Sequence, residues 1–199
     1  MIFFYILLPA LLISIGIGIY VATDSRPQPF PEGIRGIIPY IATVDFETLE
    51  AEVVKQYSNQ EADEVLHLSK IEQRCIQQRR FKWLAHQVDA MKSNIKLYRS
   101  AASWELAQVA DKSLHDSDRL RLAALILHSS PRCLLALMVL GLQIKLVTTI
   151  SHIRPYNQTL NRPFVLHFVA RKYAHLTDYA LTVAQSYGHV DYENLLSAL

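Results

Sequence analysis

Few sets of titratable side chains in this 199-residue sequence have a spacing that suits chemistry. Glu64-Val65-Leu66-His67 puts a carboxylate and an imidazole three residues apart, on one face of a helix. Di-iron carboxylate bundles use two such pairs and two further glutamates. Only one pair is present, and the apolar run from residue 133 supplies no acid, so a solvated helix face is the expected role. His167, Arg171, His175 and Asp178 also share a helix face. It lies opposite an apolar stripe, which makes these exposed polar positions. His86 and Asp89 are one turn apart, with no nucleophile signature beside them.

Cys75 and Cys133, the two cysteines, can form at most one bridge, which excludes a disulfide scaffold. Both sit at apolar helix positions, where small buried hydrophobes are the default. The sequence carries no phosphate-cradling glycine loop, nucleophile elbow, Cys-x-x-Cys or zincin helix. The expectation is therefore a non-enzymatic chain without a metal or other cofactor, a helical-bundle enzyme being the last alternative.

The remaining chemistry is charge. Residues 45–64 hold seven acids and one base, a net of −6, and residues 65–100 hold eight bases and two acids, a net of +6. The plain reading is that a first helix folds back on the start of a second, so the blocks face each other or water. The sharper reading makes Arg74, Arg79, Arg80 and Lys82 a patch for anionic lipid headgroups, each basic residue adding about 1 kcal/mol near such a surface. Phe81 and Trp83 are stacking candidates for nucleic acid. With a pI near 8.5 and no recognisable module, nucleic acid is not an expected partner.

The elements that must carry these residues begin with a membrane segment. Residues 2–22 contain no charge, and 21 helical residues reach about 31 Å, enough to cross a bilayer core of ~30 Å. Phe3, Phe4 and Tyr5 at one end and Tyr20 at the other fit an interfacial belt. No Lys or Arg precedes the run, which argues against a cleaved secretory signal. Arg26 and Arg35 after the span favour a cytoplasmic C-terminal part. Ala10, Ser14, Gly18 and Ala22 stack on one helix face. Small residues are common in spans, but this spacing also suits a homodimer through the membrane helix.

Residues 23–40 hold four prolines and read as a semi-rigid linker. From Tyr40 to Ser130 there is neither Gly nor Pro, which excludes an all-β chain with its frequent turns. Periodicity predicts a first helix near Asp45 and a second beginning at the Ser58/Glu61 capping box. Phe81, Leu84, Val88, Met91, Ile95 and Tyr98 form a bundle or coiled-coil seam. Val65, Leu68, Ile71 and Cys75 form another, out of phase, and at the shift, Gln77–Arg80, the helix is expected to bend or change partner. The Asp116-Ser117-Asp118 cluster reads as the cap of a further helix and Ser130-Pro131 as the start of another, and a last long helix ends at Gly188, with Asp191 capping a short terminal turn.

The fold class expected is all-α: a single transmembrane helix (1–22), a Pro-rich linker (23–40) and an α-helical domain (41–199). The role expected is a single-pass membrane protein whose domain is an interaction or scaffold module, with the lipid bilayer and an unidentified protein as partners. The alternative is a multi-pass component with a second span near 131–153. Ten unbroken apolar residues at 133–142 fit a core helix better, since a longer span takes in Lys145. The 51% hydrophobic content then splits into an anchor and a domain of ordinary amphipathic helices.

Overall fold

A computed structural model describes Phe30 and residues 32–57, 67–109, 117–151 and 166–199. The segment read as an anchor, with Ala10, Ser14, Gly18 and Ala22, lies outside the described residues, as do the Ser58/Glu61 box and Glu64. Within them the chain is all-helical: α1 (Ile34–Ile37), a 3₁₀ turn (Ile38–Tyr40), α2 (Phe46–Tyr57), α3 (Lys70–Val109), α4 (Ser117–Ser151), α5 (Leu166–Tyr187) and α6 (His189–Ala198). They pack as a bundle in which α4 lies between α3 and α5.

Local chemistry sets the helix starts. Asp45 caps α2, its carboxylate accepting the Thr48 N–H at 2.9 Å and the Thr48 hydroxyl at 2.6 Å. These two bonds hold the Asp45 carboxyl below its usual range. A Ser69/Glu72 capping box opens α3, with the Ser69 N–H donating to Glu72 Oε2 at 2.9 Å. Gly188, at φ +145°, separates α5 from α6, a conformation that other residues rarely adopt. The N-cap of α6 is Gly188 and carries no side-chain cap, so Asp191 sits inside the first turn, where it pairs with Arg35 instead of capping.

The α3 seam is the centre of the core: Phe81, Leu84, Val88, Met91, Ile95 and Tyr98 are all buried. Burying each such side chain is worth about 1.5–3 kcal/mol. Helix α4 answers with Ala123, Ile126, Cys133, Leu137, Leu140 and Ile144, and α5 with Val169, Tyr173, Leu176, Ala180 and Val183. Gly141 of α4 lies against Val88 and Lys92, while Arg119 near its start reaches Glu105 near the end of α3. The two helices are therefore antiparallel.

Three features depart from the sequence expectation. Ser130-Pro131 does not begin a helix: α4 runs through Pro131 without a break. Both flanks of the proline bury apolar side chains, and the Ser130 hydroxyl donates to the Ile126 carbonyl beside the position where proline removes a ladder bond. The phase shift at Gln77–Arg80 lies within the single helix α3. It marks where α3 enters the bundle, since Leu68, Ile71 and Cys75 are exposed and burial begins at Gln77 and Phe81. Finally, the latter part of the stretch read as a spacer is folded. Ile34 and Ile37 are fully buried, because the spacing of Ile34, Ile37 and Ile38 presents one apolar face between prolines.

Candidate interaction surface

Among the described residues, one buried polar cluster and one that reaches the surface tie the helices together. In the first, Asn94 of α3 pairs with the backbone of Ala42 and donates to the Tyr173 hydroxyl at 2.7 Å. Tyr98 and Thr177 flank Tyr173, and Phe46 of α2 stacks on its ring at 5.5 Å between centroids. Burial pushes the hydroxyls of Tyr98 and Tyr173 above the ordinary tyrosine range.

The second cluster closes one end of the bundle. Glu105, 1% exposed, accepts from Arg119 at 2.9 Å and from the Tyr187 hydroxyl. The guanidinium groups of Arg35 and Arg119 lie 5.0 and 4.3 Å from the Tyr187 ring centroid. Arg35 also donates to Asp191 at 2.8 Å and to the Tyr187 carbonyl at 3.2 Å. Burial, followed by the Glu105 carboxylate, pushes the Tyr187 hydroxyl well above its ordinary range. The Asn94 amide and the Glu105 carboxylate each tie separate elements to one another.

The residues singled out for chemistry separate in space. Glu64 lies outside the described residues, and among those described no three potential metal ligands come together. His167, Arg171, His175 and Asp178 are all exposed on the outer face of α5. The basic patch divides: Arg74, Arg79 and Lys82 are exposed, but Arg80 turns inward to an ion pair with Glu52 of α2 at 2.5 Å. The acidic and basic blocks thus meet at that pair. The seam from Phe81 to Tyr98 packs inside the bundle and presents nothing outward.

Among the described residues, exposed apolar side chains cluster on α3 and α4, with Tyr40, Val190 and Leu196 exposed elsewhere. One such surface is the projecting start of α3, where Ile71 is 79% exposed beside Leu68, Cys75 and Ile76. The other is the outer face of α4, where Leu135, Val139 and Leu142 are 40%, 38% and 44% exposed at helical spacing, opposite the buried face. Phe168 of α5 is exposed as well, with the Lys172 ammonium 5.7 Å from its ring centroid.

A sequence signal for this second surface lies in what is missing. From Arg119 to Thr177, 59 residues, there is no Asp or Glu, against eight Lys and Arg. This stretch lies beyond the opposed charge blocks of residues 45–100. Among the described residues, α4 is also the one helix long and apolar enough to cross a membrane, from Ser117 to Lys145. The chain matches no known protein family, curated protein or solved structure.

Proposed function

We propose that this chain is a membrane-tethered helical scaffold, non-enzymatic, whose bundle presents surfaces to the bilayer and to a protein partner. The observation that carries this reading is how the chain enters the bundle. Only 11 residues separate the uncharged 2–22 segment from buried Ile34. From there Arg35, Ala42 and Asp45 are fastened to α6, α3 and α3 in turn, by Asp191, Asn94 and Gln87. A 2–22 segment seated in a bilayer then holds the bundle close to that surface, with the bundle on the cytoplasmic side and Ala10, Ser14, Gly18 and Ala22 available for pairing of two membrane helices.

Alkaline carbonate extraction tests the tether. The full chain stays with the membrane fraction, and deletion of residues 1–25 releases a monodisperse helical protein. A second reading, in which α4 crosses the bilayer, is favoured by that helix's length and apolarity. It requires the truncated chain to remain integral, an outcome that would replace the single-anchor reading. Exposed Cys75 reports the side: a membrane-impermeant maleimide should label it in sealed cells only after permeabilisation.

A further inference from the structure

We infer that the outer face of α4, extended by Phe168 and Lys172 of α5, lies flat on an anionic membrane surface. An apolar stripe that rests among lipids needs basic residues at its margins and no carboxylate facing the headgroups. Arg132 stands one turn before Leu135 and Lys145 one turn after Leu142, both exposed, with Leu135, Val139 and Leu142 between them. Lys172 and Phe168 are exposed on α5, the helix packed against α4, with the ammonium 5.7 Å from the ring centroid. Long basic side chains at such margins let their stems cover apolar surface while the charge reaches a phosphate.

Charge selects the occupant. An even spread of the chain's 18 acids would put about five in residues 119–177, and there are none. A second copy seated face to face would bring Arg132, Lys145 and Lys172 against their own kind. Burial selects the orientation: Cys133, Leu137, Leu140 and Ile144 on the reverse side are committed to the core, so α4 lies along the surface instead of through it. The inference goes beyond the tether and stands without it, since the face belongs to the described bundle alone.

The experiment uses the full chain in lipid nanodiscs, with a spin label on Val139→Cys in a Cys75→Ser background. Collision rates with oxygen, which partitions into lipid, are compared with those of a water-soluble nickel complex. Replacing about a third of the phosphatidylcholine by phosphatidylserine is expected to raise the oxygen-to-nickel ratio about threefold, and salt on the order of 0.5 M to reverse it. Arg132→Glu with Lys172→Glu abolishes the rise and Lys96→Glu, an exposed charge on α3, leaves it intact. Should the double reversal lose helicity, Arg132→Gln with Lys172→Gln reads the same effect. A ratio that is equally high without phosphatidylserine and indifferent to these substitutions means a crossing helix and overturns the inference. Shielding from both reagents that grows with protein concentration means a second copy, and an unshielded label in both lipids means no docking. Either also overturns it. A second copy or an undocked face leaves the carbonate result unchanged, so there the two readings fail separately, whereas a crossing α4 shows in both experiments by keeping the truncated chain integral.

Discussion

Asn94 pairs with Ala42 as one peptide group pairs with another: its Oδ1 accepts the Ala42 N–H at 2.8 Å and its Nδ2 donates to the Ala42 carbonyl at 2.7 Å. The side chain is fully buried, and the second Nδ2 hydrogen reaches the Tyr173 hydroxyl. Asn94→Leu leaves a backbone donor, a backbone acceptor and a hydroxyl without this partner. An unmade buried hydrogen bond costs about 1–3 kcal/mol, and because Ala42 is only part-buried, where water can take over its groups, a loss of about 2–4 kcal/mol in all is expected in urea titration of the detergent-solubilised chain. A loss below about 0.5 kcal/mol would mean that the segment around Ala42 does not depend on this pairing.

Gly33 takes φ +60°, and a Cβ there would lie 2.7 Å from the Trp104 ring and closer still to Glu105 Oε1. Gly33→Ala adds a left-handed backbone cost to a clash with a packed ring, about 1–3 kcal/mol together. Limited proteolysis checks it: cleavage near Arg35 should become fast in the variant while the core of α3 stays protected.

Gly141 behaves oppositely. A Cβ would meet Lys92 Nζ at 3.4 Å and Val88 Cγ1 at 3.8 Å, ordinary contacts, one of them with the end of a flexible side chain. Glycine inside a helix costs about 0.5–1 kcal/mol relative to alanine, so Gly141→Ala should raise stability by up to that amount. Gly141→Leu has no such room and should lower it.

Burial pushes the Cys133 thiol up to about 12, with Lys172 opposing only in part. At pH 8, maleimide should modify exposed Cys75 and spare Cys133 until denaturant is added, as counted by intact mass. The sign for stability follows from the unfolded thiol ionising first. Its contribution is intact below a pH of about 8.5 and declines as pH rises toward the folded value. Tyr98, Tyr173 and Tyr187, all raised by burial, steepen the decline above about pH 10. Tyr187→Phe should flatten the urea midpoint between pH 9 and 11.

Much of the helical arrangement is legible in the sequence, because buried faces repeat every three or four residues. The run from Phe81 to Tyr98 and that from Val169 to Val183 could be placed on buried faces for this reason. Capping motifs are less decisive: Ser58/Glu61 and Ser69/Glu72 have the same spacing, and the described helix begins after the second. Pro131 shows the limit of a local rule, since packing on both flanks outweighs one lost ladder bond. The polar clusters were beyond reach. Asn94 and Ala42 are 52 residues apart and Glu105 and Tyr187 are 82 apart, and no periodicity marks such pairs. The exposed stripe of α4 was not read from the sequence, where its one trace is the absence of acids from residue 119 to 177.

The way residues 30–45 are fastened has a mechanical consequence. Phe30 bonds to Ser100, Gly33 abuts Trp104, Arg35 holds Asp191, Ala42 holds Asn94, Val44 bonds to the Leu199 carbonyl and Asp45 to Gln87. A tug on the residues before Phe30 is therefore distributed over two helices through attachments spaced along the strap. The strap and the bundle therefore turn as one body, with no joint among the described residues between Phe30 and Asp45 at which either could swivel against the other.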